Sequence, residues 1–243
     1  MLDYNIGMFK QKFVVTSNDI DGNLEIKLSS LTRYIQQVAT DHANHIKFGH
    51  LELNKRGLMW VIIRMKMNIT RLPRLDEEFT ISTHPGKDNG FLFFRHFQIY
   101  DSHNNLIASS SSSWVVLNYE TRKIVLKPFD KKIPEESSKE DLSDPEKVTG
   151  ESSELVDTRI ARYSEVDMNG HINNTRYVDY IQDSHGTEFF KENRISSILI
   201  NFDKEIKEGD TVKIYSNKNS PEIIIGKAND FNSFSARIEY VKR

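Results

Sequence analysis

The chain of 243 residues contains no cysteine. That excludes disulfides, thiolate metal sites and a cysteine nucleophile together. Long apolar runs are missing as well. The opening MLDYNIGMFKQKF has none of the hydrophobic length of a signal peptide, and no later window approaches the roughly 18 apolar residues of a membrane span. Neither sign of charge dominates, with Lys plus Arg at 33, Asp plus Glu at 35 and a formal net charge of -2. No basic field exists to draw the chain onto nucleic acid. These absences predict a soluble protein, most simply cytoplasmic, with neither nucleic acid nor a membrane as partner.

The length suits one large domain or two ordinary ones, either able to bury a core without staples. Between Asp130 and Asp157 the sequence reads DKKIPEESSKEDLSDPEKVTGESSELVD, charged and serine-rich with scattered apolar residues, which predicts a linker or a long surface crossover. The expected division is therefore residues 1–130, a connector at 131–156, and residues 157–243.

In the first part, Leu31, Tyr34, Ile35, Val38 and Ala39 fall at i, i+3, i+4, i+7 and i+8, the stripe of an amphipathic helix, with Ser29 or Ser30 as its expected cap. WVIIRMKMNITRL, EEFTISTHP, GFLFFRHFQIYD and SSWVVLNYE then read as antiparallel strands. The second part repeats this order: TRIARYSEV as strand, NNTRYVDYIQDSHGTEFF as helix, then four strands ending in FSARIEYVK. An offset of 146 sets Asp21 on Asp167, Asn23 on Asn169 and Ile35 on Ile181; later, 133 sets Ile81 on Ile214. The pattern predicts an internal duplication. A one-striped helix followed by a curled antiparallel sheet packs as a sheet wrapped around the helix, an α+β architecture in two copies with the possibility of one continuous sheet.

DMNGHINN, Asp167 to Asn174, is the densest polar cluster. Asp, Asn and Gly serve turns and helix starts, and the first copy, DGNLEIKL, retains Asp21 and Asn23 accordingly. It carries Glu25 where the second copy has His171, and Lys27 where the second has Asn173. Turn formation explains the shared residues but not His171. A histidine can donate and accept a proton near neutrality, and a helix N-terminus offers unpaired N–H groups to a developing oxyanion.

DMNGHINNTRYVDYIQD resembles the active-site segment of the plant and bacterial acyl-ACP thioesterases, whose pattern is Asp-x-Asn-x-His-x-x-Asn leading into a helix. Trp60, Val61 and Arg64 resemble a Trp-Val-x-x-Arg pattern in that family's first half, and the likeness spans nearly the whole chain. It implies a double (tandem) hotdog fold, no cofactor, an acyl carrier protein as partner, and hydrolysis of acyl thioesters. It places the family's catalytic residues on Asp167, Asn169 and His171, with a further Glu on Glu205 in NFDKEI. The cysteine that often follows that Glu in plant members is Ile206 here, so water or a carboxylate must attack the thioester. The implied roles are Glu205 as general base, His171 sharing its water or polarising the carbonyl, Asn169 orienting, and Asp167 fixing Asn169 and His171 by hydrogen bonds. The first half, with Leu72 near the place of Glu205, is expected to be inactive and to shape the acyl pocket. An acyl-CoA hydrolase and a silent acyl-binding module are the alternatives, and a monomer or a homodimer fits either.

Other features read as structure. SSSSS, Ser109 to Ser113, lacks a G-x-S-x-G elbow and suits a closely packed strand. His42 and His45 at i, i+3 lack a convincing third ligand, so no metal is expected. PGKDNG, Pro85 to Gly90, lacks the ending of a phosphate loop and predicts a hairpin turn. Arg71, Arg74, Lys87, Arg95, Arg122 and Lys123 are candidates for contact with an acidic carrier.

Overall fold

A computed structural model describes residues 7–219 and 222–243. Its strands form one ten-stranded antiparallel sheet. In chain order the elements are β1 (Phe9–Val14), α1 (Leu28–His45), α2 (His50–Asn54), β2 (Leu58–Ile69), β3 (Glu78–Asp88), β4 (Phe93–Asp101), β5 (Leu106–Asn118), β6 (Glu154–Ile160), α3 (Asn174–Asp183), α4 (Gly186–Glu192), β7 (Asn193–Phe202), β8 (Thr211–Ser216), β9 (Glu222–Ala228) and β10 (Phe231–Lys242). The sheet order is β1-β3-β4-β5-β2-β7-β10-β9-β8-β6. The two halves meet where β2 pairs with β7, Met65 opposite Ile200 and Met67 opposite Ile198. All four of these side chains are at most 2% exposed, so the seam is part of the core.

The helices α1 and α3 pack against each other within the curl of the sheet. Leu31, Ile35 and Val38 of α1 and Val178, Tyr180 and Ile181 of α3 are buried in a single apolar cluster with strand residues of both halves. Ser29 and Ser30 do not cap α1. The helix begins two to three residues earlier than the serines suggest: Lys27 is its N-cap, makes no side-chain cap bond, and donates its N–H to the Asp19 carbonyl at 2.7 Å, while both serines are buried inside the first turn. The second helical segment also differs from expectation. It breaks at Ser184, whose hydroxyl donates back to the Ile181 carbonyl at 2.7 Å, and Gly186 then takes a φ of 75° to start α4 in a new direction. TRIARYSEV likewise ends as strand at Ile160, and Tyr163–Glu165 form a 3-10 turn.

The duplication persists at the level of individual hydrogen bonds. Ile20 bridges Ile26 as Val166 bridges Ile172. Asp21 N–H donates to the Glu25 carbonyl at 2.9 Å, and Asp167 N–H to the His171 carbonyl at 2.8 Å. Ile26 N–H reaches the Pro73 carbonyl at 2.9 Å, and Ile172 N–H the Ile206 carbonyl at 2.8 Å. Gly170 has a φ of 79°, and its counterpart Leu24 holds 60°, the left-handed region that side chains enter only under constraint. The same backbone is thus built from different side chains.

The acidic connector lies across the sheet face away from the helices. Asp141 accepts from Gln98 of β4 at 2.7 Å and sits 3.0 Å from His84 of β3; the Ser143 carbonyl accepts from Ser111 of β5 at 2.8 Å. Lys66 of β2 donates to the Ser143 hydroxyl at 2.9 Å, and Val148 N–H to Asn201 of β7 at 3.2 Å. The strap follows the order of the strands and delivers the chain to the far edge, where β6 begins. This accounts for the serine run: Ser109 to Ser113 lie buried within β5, with Ser110 and Ser111 bonded to β2 and to the strap. PGKDNG is split, Pro85 to Asp88 completing β3 and Asn89 and Gly90 making the turn. Among the described residues no helix is long and apolar enough to cross a membrane, and no group of His, Asp and Glu is placed to hold a metal ion.

Candidate active site

Asp167, Asn169, His171 and Glu205 all line one cavity of about 770 Å³. The loop before α3 supplies the first three, and the segment leaving β7 supplies Glu205. The hydrogen bond from Ile172 N–H to the Ile206 carbonyl ties these two segments together, which is why residues far apart in sequence face each other. His171 Nε2 lies 3.0 Å from Glu205 Oε2, the side chains being 19% and 43% exposed. The other oxygen of Glu205, Oε1, accepts from Arg122 Nη2.

Asp167 acts locally. Its carboxylate accepts the N–H of Asn169 at 2.8 Å, shaping the turn that presents His171, as Asp21 accepts the N–H of Asn23 at 2.8 Å in the first copy. Among the described residues no hydrogen bond joins the Asp167 carboxylate to the His171 ring or the Asn169 amide group. Asn173 caps α3, accepting the Thr175 N–H at 2.9 Å and its hydroxyl at 2.8 Å. Asn174, the first residue of the helix, lines the cavity beside it.

Burial holds the His171 imidazole below its ordinary pKa, and the positive charges of Arg122 and Lys207 act in the same direction against an opposing pull from Asp167. The ring is thereby kept neutral near pH 7, the form able to accept a proton. Tyr177, under the loop on α3, is pushed up to about 12 chiefly by burial, so it remains a neutral phenol. Ile206 is fully buried in the core, behind the peptide that holds the loop. The position is therefore committed to packing.

The inner wall comes from the first half. Ala39, Thr40 and Ala43 of α1, Met59 to Ile63 of β2, and Phe93, Trp114 and Val115 of β4 and β5 line it. Arg95 is set into this wall, its Nη1 3.0 Å from His42 Nδ1, with its pKa lowered to about 10 by burial. The arrangement is a polar pair at the entrance of a largely apolar slot. Arg122, considered in the sequence only as a carrier contact, and Met59, whose sulfur is 3.2 Å from Arg122 Nη1, belong to this entrance. Only the fold brings them there, since the loop after β5 carries no motif.

A continuous curled sheet around two helices packed on each other, with a polar mouth opening on a largely apolar slot, defines the class as a tandem hotdog protein. The chain belongs to the acyl-ACP thioesterase family: residues 7–133 match the model of the acyl-ACP thioesterase N-terminal domain and residues 150–241 that of the C-terminal domain. The oleoyl-acyl carrier protein thioesterase 2 of Arabidopsis thaliana is 22% identical, the alignment covering 92% of this chain and 66% of that protein. The dodecanoyl-[acyl-carrier-protein] hydrolase of Cinnamomum camphora is 24% identical over 84% of this chain and 59% of its own length. The chain thus spans less than two thirds of these plant relatives. An acyl-ACP thioesterase from Bacteroides thetaiotaomicron superposes with a TM-score of 0.90 at 23% identity, covering 96% of this chain and 98% of that one. The 12:0-ACP thioesterase of Umbellularia californica superposes at 0.83 with 18% identity, covering 99% of each chain. These likenesses establish the double hotdog fold.

Proposed function

We propose that the protein hydrolyses fatty acyl-ACP, releasing the fatty acid and the carrier thiol at the end of fatty acid synthesis. The observation carrying this reading is the His171–Glu205 pair, 3.0 Å apart at the mouth of a cavity of about 770 Å³ whose inner wall is largely apolar. Family membership supports the choice of substrate. In the proposed mechanism Glu205 takes a proton from water as the oxygen attacks the thioester carbon. His171 shares that water or polarises the carbonyl, Asn169 orients the reacting groups, and Asp167 holds the turn that presents them. The amide N–H of Asn174, at the start of α3 and on the cavity wall, receives the tetrahedral oxyanion. Collapse of the intermediate breaks the C–S bond and the thiolate leaves with the proton. No thiol of the protein and no cofactor enters.

The division of labour follows: residues 1–130 as the pocket-forming hotdog, 131–156 as the connector, 157–243 as the hydrolytic hotdog. A cytoplasmic location, and a monomer or a homodimer of double hotdogs, belong to the same proposal. The test is a panel of acyl-ACP thioesters from short to long chains, run beside matched acyl-CoA thioesters, with free thiol as the readout. Hydrolysis of acyl-ACP, lost in His171→Ala and Glu205→Gln proteins that retain the wild-type melting curve, supports the reading. Faster hydrolysis of the CoA series replaces it with an acyl-CoA thioesterase, and binding without thiol release replaces it with an acyl-binding module. Full activity in Glu205→Gln removes Glu205 as base.

A further inference from the structure

We infer that Arg122 is a positioning residue for the hydrolytic pair: it crosses from the first half to hold one oxygen of Glu205, so that the other is presented to His171. The inference rests on the thioesterase reading above for what the pair does, and on the geometry for how the pair is held.

Arg122 is set up to be rigid. It stands just beyond β5 in a turn whose Asn118 side chain accepts the N–H of Glu120 at 3.2 Å, and the N–H and hydroxyl of Thr121 at 2.9 and 3.1 Å. Its own N–H donates to the Asn118 carbonyl at 3.0 Å, and its φ is 57°. At the far end Nη1 rests on the Met59 sulfur and Nη2 donates to Glu205 Oε1. Both the backbone and the guanidinium are thus fixed before substrate arrives, which is what positioning requires.

The duplication supplies the reason to read this as a device rather than a chance surface pair. Arg243, immediately after the last strand of the second half, crosses the other way and donates from Nη1 to Glu25 Oε2 at 2.6 Å. Glu25 stands where His171 stands in the working copy. Each half therefore sends an arginine from beyond its last strand to the polar segments of the other half, Arg243 to the loop before α1 and Arg122 to the segment leaving β7 that is tied to the loop before α3. In the first copy that arginine meets a buried carboxylate, and its Nε is also bonded to the Phe190 and Asn193 carbonyls, leaving an ion pair with no chemistry. In the second copy it meets the proposed base.

The charges facing His171 are Arg122 and Lys207, which disfavour its protonation, and Asp167, which favours it, with Glu205 at 3.0 Å. Removing Arg122 therefore raises the His171 pKa. Replacing it by lysine keeps a charge but not the fork that grips a carboxylate oxygen.

The test uses Arg122→Met, Arg122→Lys and, as a control, Arg243→Met. With acyl-ACP, Arg122→Met is expected to lose about 10- to 100-fold in kcat with KM little changed, by the cost of misplacing a catalytic group. The acid limb of its pH profile moves to higher pH. Arg122→Lys regains the acid limb and part of kcat, and Arg243→Met keeps kcat and the wild-type profile. Independently of turnover, the His171 ring proton, assigned by its loss in His171→Gln, is titrated by NMR and is expected to show a higher pKa in Arg122→Met. An unchanged kcat, a loss confined to KM, or an unmoved His171 titration overturns the inference. An inactive wild-type protein in which the His171 titration still moves with Arg122 would instead sink the thioesterase reading and leave the positioning contact standing.

Discussion

Gly226 offers a sharp test of how core packing around α3 supports the site. It sits in β9 opposite Phe234 of β10, and a Cβ added there would fall 2.0, 2.4 and 2.6 Å from three atoms of the Phe234 ring. That ring is 0% exposed and stacks on Tyr177 with centroids 5.1 Å apart and planes 24° apart. Tyr177 in turn lines the cavity from α3. Gly226→Ala cannot be absorbed by a flexible chain end, so ring and strand must move apart. Overpacking of this kind costs about 1–3 kcal/mol. At about 2–4 °C per kcal/mol for a chain of this size, the melting temperature falls by about 2 to 12 °C. Differential scanning calorimetry reads the stability, and kcat on acyl-ACP reads the displacement passed to α3. A double-mutant cycle closes the argument: Phe234→Leu destabilises the parent by leaving a void, and costs less in the Gly226→Ala background where the void is filled. A melting temperature within about 1 °C of the parent for Gly226→Ala, where at least the lower end of the shift is due, would refute the packing account.

Four further outcomes follow from the structure. Because burial and neighbouring cations lower the His171 pKa, the neutral ring persists below the ordinary histidine value of 6.5 and kcat should fall only as pH drops through the lowered pKa; a kcat–pH profile with its acid limb above 6.5 contradicts this. Asp19 is held below its ordinary pKa by hydrogen bonds from Thr16 and Tyr34 and by Arg33, which together outweigh desolvation. Its contribution to stability is therefore present above pH 3.8 and lost as pH falls through the lowered value, and Asp19→Asn should flatten urea-denaturation stability across that window. Asp141→Ala strips partners from Gln98 and buried His84, a loss of about 1–3 kcal/mol measurable by urea unfolding. Ala43→Phe places a ring in the wall of the cavity and should lower kcat/KM for the longest accepted acyl chain relative to shorter ones, by about tenfold or more in the acyl-ACP panel.

The duplicated order of helix and strands was legible because each copy repeats a 3.6-residue stripe followed by β-branched runs, and the offset that pairs Asp21 with Asp167 survives as matching hydrogen bonds. The loop carrying His171 was legible for a related reason, since its own first copy served as a control. Less was available at the ends of elements. Serine at a helix start suggests a cap, yet Ser29 and Ser30 are drawn inward because the sheet encloses the first turn of α1. The break between α3 and α4 turns on the φ of Gly186 and on the contact of half-buried His185 with Glu222, neither of which periodicity expresses. The charge and serine content of the connector predict a linker or a long surface crossover, and many of its polar residues do meet solvent. What sequence could not show is that they also match, strand by strand, the polar groups on the back of the sheet. Arg122 stayed hidden for the same cause: its partner is 83 positions away and across the seam between halves.

The strap that crosses the back of the sheet has a consequence for evolution as much as for stability. When two identical chains pair, every substitution appears twice, at both mouths, and a residue suited to one task is imposed on the other. Here the covalent crossover releases the two mouths from that constraint. Glu25 and Leu72 can stand in one place, His171 and Glu205 in the other, without either choice being copied. Pairing within one chain also makes the association of the halves independent of protein concentration. A single connector thus lets one hotdog shape the slot while the other carries the polar mouth.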